Sequence, residues 1–236
     1  MNKVLEKEKI QTKEIILRMA LKLFMEKGFG EVSINDLIKT AGITKKKFAY
    51  EFNSKDQLIS ETIEKLFFPH FNDIIYFPEE CNENSKEKLK RIFERYSEIK
   101  CYLRTEIGVR TINYRSIIVL LVEGIKDYKS MTNCVLDFNN RLLDKIENVI
   151  DEGKLYGEIS SKIDSKFISK HILTLLQNAI VLWVMNQNID INKLFEVNFK
   201  YLWNKIKSPE SNLVILENYM VDESLDSKKQ MNFNLM

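Results

Sequence analysis

Apolar residues recur along most of this chain three and four apart, the period of a helix with one buried face. Ile15, Met19 and Leu23 repeat four apart, as do Ile16, Ala20 and Phe24. Together they form one stripe and predict a first helix over about residues 10–27, with Gly28 as its stop. Ser33 starts a second helix, with Asp36 three residues on as in a capping box. Ile34, Leu37, Ile38 and Ala41 face inward on it, and Gly42 breaks it after about two turns. Thr44 caps a third helix, running through Phe48 to Phe52. Ser54 with Gln57 opens a fourth, which carries Leu58, Ile59, Ile63 and Leu66 and stops near Pro69.

Residues 70–85 are mixed, and Pro78, Glu79, Glu80, Asn82 and Asn84 read as a loop. Helical patterning returns with Leu89, Ile92, Phe93, Tyr96 and Ile99, then over about 102–126 and about 131–152. The stretch Glu152 to Gly157 reads as a helix stop and turn. Asp164 or Ser165 opens a very apolar helix to about Met185, and a last helix covers about 190–207, ended by Pro209. Residues 210–236 have no clear pattern. The expected division is a small unit over 1–66, a larger one over 67–208, and a tail over 209–236.

Composition agrees with an all-α fold. The 236 residues include only 7 Gly and 3 Pro, too few for sheets joined by tight turns. Net charge is only +2, so attraction to phosphate has to come from a local patch. Three cysteines, Cys81, Cys101 and Cys134, match no metal or redox spacing and fit a reducing, cytoplasmic setting. The charged N-terminus lacks a signal-peptide core, and the longest apolar run, Ala179–Met185, is far short of a membrane span. His70 and His171 have no partner at a metal or triad spacing, and no phosphate loop or nucleophile elbow occurs. No enzyme, cofactor or metal site is expected.

The chemistry concentrates in Ala41-Gly42-Ile43-Thr44 and the short helix beyond it. A small residue lets two short helices approach, Gly42 turns the chain, and Ile43 plugs the core beneath: a helix-turn-helix, whose second helix can enter a DNA major groove. That helix begins Lys45-Lys46-Lys47. Cations at a helix N-terminus oppose its dipole by roughly 0.3–1 kcal/mol each at exposed sites. Stability alone favours Asp or Glu there, whereas a phosphate partner favours lysine.

From Phe24 to Leu58 the chain resembles the tetracycline-repressor (TetR) family of bacterial regulators. The resemblance rests on Phe24, Gly28-Phe29, Ser33, Leu37, Ala41-Gly42-Ile43-Thr44, Phe48, Phe52, Ser54-Lys55 and Leu58. Ile38, Ala49 and Glu51 depart from it, and Ala49 stands where the family usually has a phosphate-contacting Tyr. The resemblance implies an N-terminal three-helix DNA-binding domain and a larger C-terminal helical domain for ligand binding and dimerisation. It implies that Ser33, Thr44, Lys47 and Lys55 touch the phosphate backbone while Lys45, Lys46 and Tyr50 face the groove. It places a dimer interface on the last two major helices, expected at Ile172, Leu176, Ile180, Trp183, Phe199 and Trp203. It also implies a small-molecule pocket in the middle segment, expected at Phe93, Tyr96, Tyr102, Tyr114, Leu121, Met131 and Phe138, although ordinary bundle core explains these residues equally well. The expected partners are a palindromic double-stranded operator, a second copy of the chain, and a small hydrophobic or amphipathic effector, with no membrane. Two other readings stay open: a DNA-binding protein of this fold with a structural or cell-division role and no effector, and a helical interaction module without DNA binding.

Overall fold

The computed structural model describes residues 2–69, 72, 75, 76, 83–98, 115–186 and 188–209. Among these are nine α-helices and no strand, only one isolated antiparallel bridge between Ile159 and Lys207. We label the helices α1 (Asn2–Lys27), α2 (Ile34–Ala41), α3 (Lys45–Glu51), α4 (Lys55–Thr62), α5 (Ser85–Ser97), α6 (Arg115–Asp127), α7 (Lys129–Leu155), α8 (Ser165–Met185) and α9 (Ile191–Ile206). α4 runs on into a short π-helical segment, Ile63–Phe67.

The first four helices follow the sequence pattern closely. α1 extends further toward the N-terminus than its apolar stripe predicts, and Gly28 ends it with φ +85°. Ser33 forms the full capping box with Asp36, and Gly42 closes α2 in the left-handed region at φ +63°. Thr44 accepts from the Lys47 N–H, and Ser54 from the Gln57 N–H. Gln57 reaches back to the Asn53 N–H rather than to Ser54, so the second box is incomplete.

The remaining helices differ from expectation mainly at their ends. The stop placed at Glu152–Gly157 begins too early: α7 runs through Gly153 to Leu155, and the turn is made by Gly157 at φ +73°. Gly153 is retained for packing, because a Cβ there would lie 2.7 Å from Ile159 Cδ1 and 2.9 Å from Ser85 Oγ. Asp164 and Asp190 cap α8 and α9 through their carboxylates. The expected helix over 102–126 is described only from Arg115 onward, and the tail from 210 lies outside the described residues.

α1 packs on α2, α4 and α6; α7 packs on α5, α6 and α8; α9 packs on α5 and α8. α8 is long and apolar enough to cross a bilayer, but Ile172, Leu176, Ala179 and Trp183 form a buried stripe at helical spacing inside this bundle.

Candidate nucleic-acid interface

α3 stands on a small set of anchors. Phe48 is buried at 4% exposure, and its ring meets that of Phe52, itself 2% exposed, at 5.8 Å. The Gly42 N–H bonds the carbonyls of Ile38 and Lys39, and the Ile43 N–H also bonds Ile38, so the turn closes on the end of α2. Ile43 is partly buried against the core, as its plugging role requires. With Phe48 pointing inward, Thr44, Lys45, Lys46, Lys47, Ala49 and Tyr50 are left exposed. Tyr50 is 71% exposed. α3 therefore presents three ammonium groups and a phenol on one short, rigidly based helix, and no acid occupies its first turn.

The flanking residues are held as well. Ser33 is exposed and both accepts from the Asp36 N–H and donates to its carboxylate at 2.6 Å, which holds the Asp36 carboxyl below its ordinary range. Lys55, at the start of α4, is partly exposed and its ammonium donates to the Gly30 carbonyl at 3.3 Å. Lys13 of α1 bonds Glu61 of α4, which also receives Lys65 and Gln57, so one carboxylate joins α1, α4 and the π segment.

Sequence reasoning missed one residue of this unit. Glu123 of α6 accepts the Phe29 N–H at 2.9 Å and the Gly30 N–H at 2.6 Å, binding the α1–α2 turn from outside. The signal was a single carboxylate in the apolar run Ser116 to Ile125, next to Gly124. A Cβ on Gly124 would sit 2.7 Å from Met131 Cε and 3.1 Å from Phe29 Cε2, so glycine permits this close approach.

This arrangement and the sequence together decide the family. The description of bacterial regulatory proteins, tetR family, matches residues 16–62, and that of the YsiA-like protein C-terminal region matches residues 81–204. The chain belongs to the TetR family. It is 26% identical over 184 residues to the uncharacterised HTH-type transcriptional regulator YvdT of Bacillus subtilis, covering 76% of this chain and 88% of that one. It is 24% identical over 181 residues to the HTH-type transcriptional regulator QacR of Staphylococcus aureus, covering 75% and 88%. Among solved structures, a TetR regulator from Chloroflexus aurantiacus superposes with TM-score 0.67 at 14% identity over 86% of this chain and 99% of that one. A regulator from Saccharomonospora viridis in complex with choline does so with TM-score 0.68 at 16% identity over 84% and 98%. The protein is thus a TetR-family transcriptional regulator with a DNA-binding helix-turn-helix, and its relatives are regulators rather than enzymes.

The interface and pocket residues fall differently from expectation. Ile172, Leu176, Trp183 and Phe199 are 0–5% exposed within a single chain and belong to its own core; Ile180 and Trp203 are partly buried. The opposite stripe faces out: Phe167, Val181, Leu182 and Met185 on α8, Val197 and Tyr201 on α9. The outward face of α8 is polar at Lys170, His171, Thr174 and Asn178 and becomes apolar from Val181 on.

Of the pocket set, Phe93, Tyr96, Met131 and Phe138 are all buried at 5% or less, and Leu121 is partly buried. Tyr102 and Tyr114 lie outside the described residues. Tyr96 packs its ring against Phe138 and Phe195 at 6.3 Å each, and burial pushes its hydroxyl far above its ordinary pKa. A groove of about 710 Å³ opens between α5 and α9, but Phe93 is the one expected pocket residue that lines it.

Proposed function

We propose that this regulator is a cytoplasmic repressor that binds a palindromic operator as a homodimer and is released by a small hydrophobic or amphipathic ligand. The observation that carries the DNA half of this reading is the exposed triplet Lys45-Lys46-Lys47 at the head of a helix anchored through Phe48. One reading helix covers few base pairs, and a two-fold pair reads a palindrome with half-sites about one helical turn apart, or a multiple. The outward faces of α8 and α9 supply a surface for that pairing: Val181, Leu182 and Met185 cluster at the end of α8, and Phe167, Val197 and Tyr201 are also exposed on these two packed helices. Ser33, Thr44, Lys47 and Lys55 are assigned to phosphates, and Lys45, Lys46 and Tyr50 to the groove.

The ligand half rests on family membership and on the aromatic centre of the larger unit, built from Phe93, Tyr96, Phe138, Phe195 and Phe199. The fold is shared with a regulator whose structure holds choline, which supports a small-molecule effector as a class. Within the aromatic centre Tyr96 and Phe138 already pack ring against ring.

The test is selection of binding sites from random duplex DNA by the full chain at several salt concentrations. A recovered palindrome supports the reading. Recovery of no enriched sequence, with binding lost on adding modest salt, retires it.

A further inference from the structure

Several links join the helix-turn-helix to the larger unit, among them Ser130 to Ser60 and Phe29 to Tyr128, and the most polar of them runs through Glu123. Glu123 stands on α6, in the larger unit, yet both its oxygens are spent on the turn that joins α1 to α2. Gly28 leads into this turn at φ +85°, and a Cβ there would come within 2.9 Å of Glu123 Oε2. The far side of the same turn is held by Lys55, whose ammonium takes the Gly30 carbonyl. The peptide units around Gly30 therefore sit between a carboxylate of the body and a lysine at the head of α4. Beside this polar grip, the Phe29 ring meets Tyr128 at 5.2 Å and Phe24 at 5.1 Å.

We propose that Glu123 is a positioning residue for DNA recognition: its two-oxygen grip on the Phe29 and Gly30 N–H groups sets the angle at which the helix-turn-helix stands on the body, and hence the half-site spacing a dimer accepts. This rests on the dimeric operator-binding reading above. A carboxylate is the one side chain that accepts two adjacent N–H groups with equal oxygens. Glutamine keeps the size but offers one acceptor and sets an NH₂ against an N–H donor. The apolar contacts of Phe29 persist without the clamp, so the head remains folded and attached while its angle is freed.

The experiment uses the full-length protein and the palindrome that the wild type itself selects, with versions in which one or two base pairs are added or removed between the half-sites, and a single half-site duplex. Wild type is expected to prefer one spacing. In Glu123→Gln that preference shrinks by about fivefold or more, the scale of coupling between distinct sites, while single half-site binding and the salt slope are retained. Gly30→Ala perturbs the same grip more gently, since its Cβ would lie 3.3 Å from Glu123 Oε1, and is expected to shrink the preference in the same direction. It keeps the test available if Glu123→Gln folds poorly. An unchanged spacing preference in both variants overturns the proposal, as does an equal loss on palindrome and half-site, which marks simple damage to the head. A wild type that binds DNA without any spacing preference removes the dimeric reading and the clamp's role with it.

Discussion

At the scale of single residues, the proposed assignment divides four lysines of the reading head into two kinds of test. Lys45 and Lys46 stand exposed on α3 and are assigned to the groove, so replacing either by Ala changes which sequences are preferred. Lys47 and Lys55 are assigned to phosphates, so their Ala variants weaken binding to all sequences alike and flatten the slope of log affinity against log salt by about one unit. Binding titrations over a salt series distinguish the two outcomes. Wild-type affinity and slope in all four variants show that α3 is not the reading helix. Glu61 gives a pH signature. Burial raises its pKa, but hydrogen bonds from Lys65, Lys13 and Gln57 outweigh that, and the net shift is downward. A carboxyl depressed in the folded state contributes stability that is complete above its unfolded value, roughly 4.3, and is lost as pH falls through the folded value. Thermal melts should therefore show Glu61→Gln less stable than wild type near neutrality, with the gap closing below about pH 4.

Among the helices, Gly153 separates propensity from packing. In an open helix, Gly→Ala gains about 0.8–1 kcal/mol. In α7 the added Cβ meets Ile159 and Ser85 below 3 Å, and overpacking typically costs about 1–3 kcal/mol. Gly153→Ala is thus expected to lower the melting temperature, and a rise would show that the α7–α8 turn yields easily. The same glycine shows where sequence reading reached its limit. Caps are local, so Ser33, Thr44 and Ser54 can be read directly as helix starts, Asp164 as one of two adjacent candidates, and Gly42 as a stop. Gly153 looked like another stop, but its conformation is helical and its purpose lies in a neighbour that only the fold brings near. Glu123 was hidden for the same reason: its partners are 93 and 94 residues away and are backbone atoms, which leave no complementary side chain in the sequence. The helix-turn-helix was legible because its determinants fit within one turn.

On the scale of the whole molecule, α8 has one face buried in its own chain and one exposed face that the dimer reading assigns to a second copy. Leu176 is fully buried and Leu182 is half exposed on the same helix. Leu182→Glu or Val197→Glu should keep helical content and yield monomers at concentrations where the wild type is dimeric, with palindrome affinity lost. Leu176→Glu should unfold the chain. Sedimentation with circular dichroism reads both, and a dimeric Leu182→Glu variant moves the interface elsewhere. One further consequence comes from the small bridge at the chain's far end. The Ser160 N–H bonds the Ile206 carbonyl, the Ser208 N–H bonds that of Glu158, and the Glu158 carboxylate takes the Ser85 N–H, so α5, α7 and α9 are tied together there. The other end of α7 begins at Tyr128, against Phe29 of the reading head. Its 27 residues make a rod of about 40 Å, tied to α5 and α9 at one end and set against the head at the other. A tilt of about 5° about the tied end carries the head end roughly 3.5 Å, close to the rise of one base step along DNA. On the operator-binding reading proposed above, a tilt of that size would change the register of the head on its half-site.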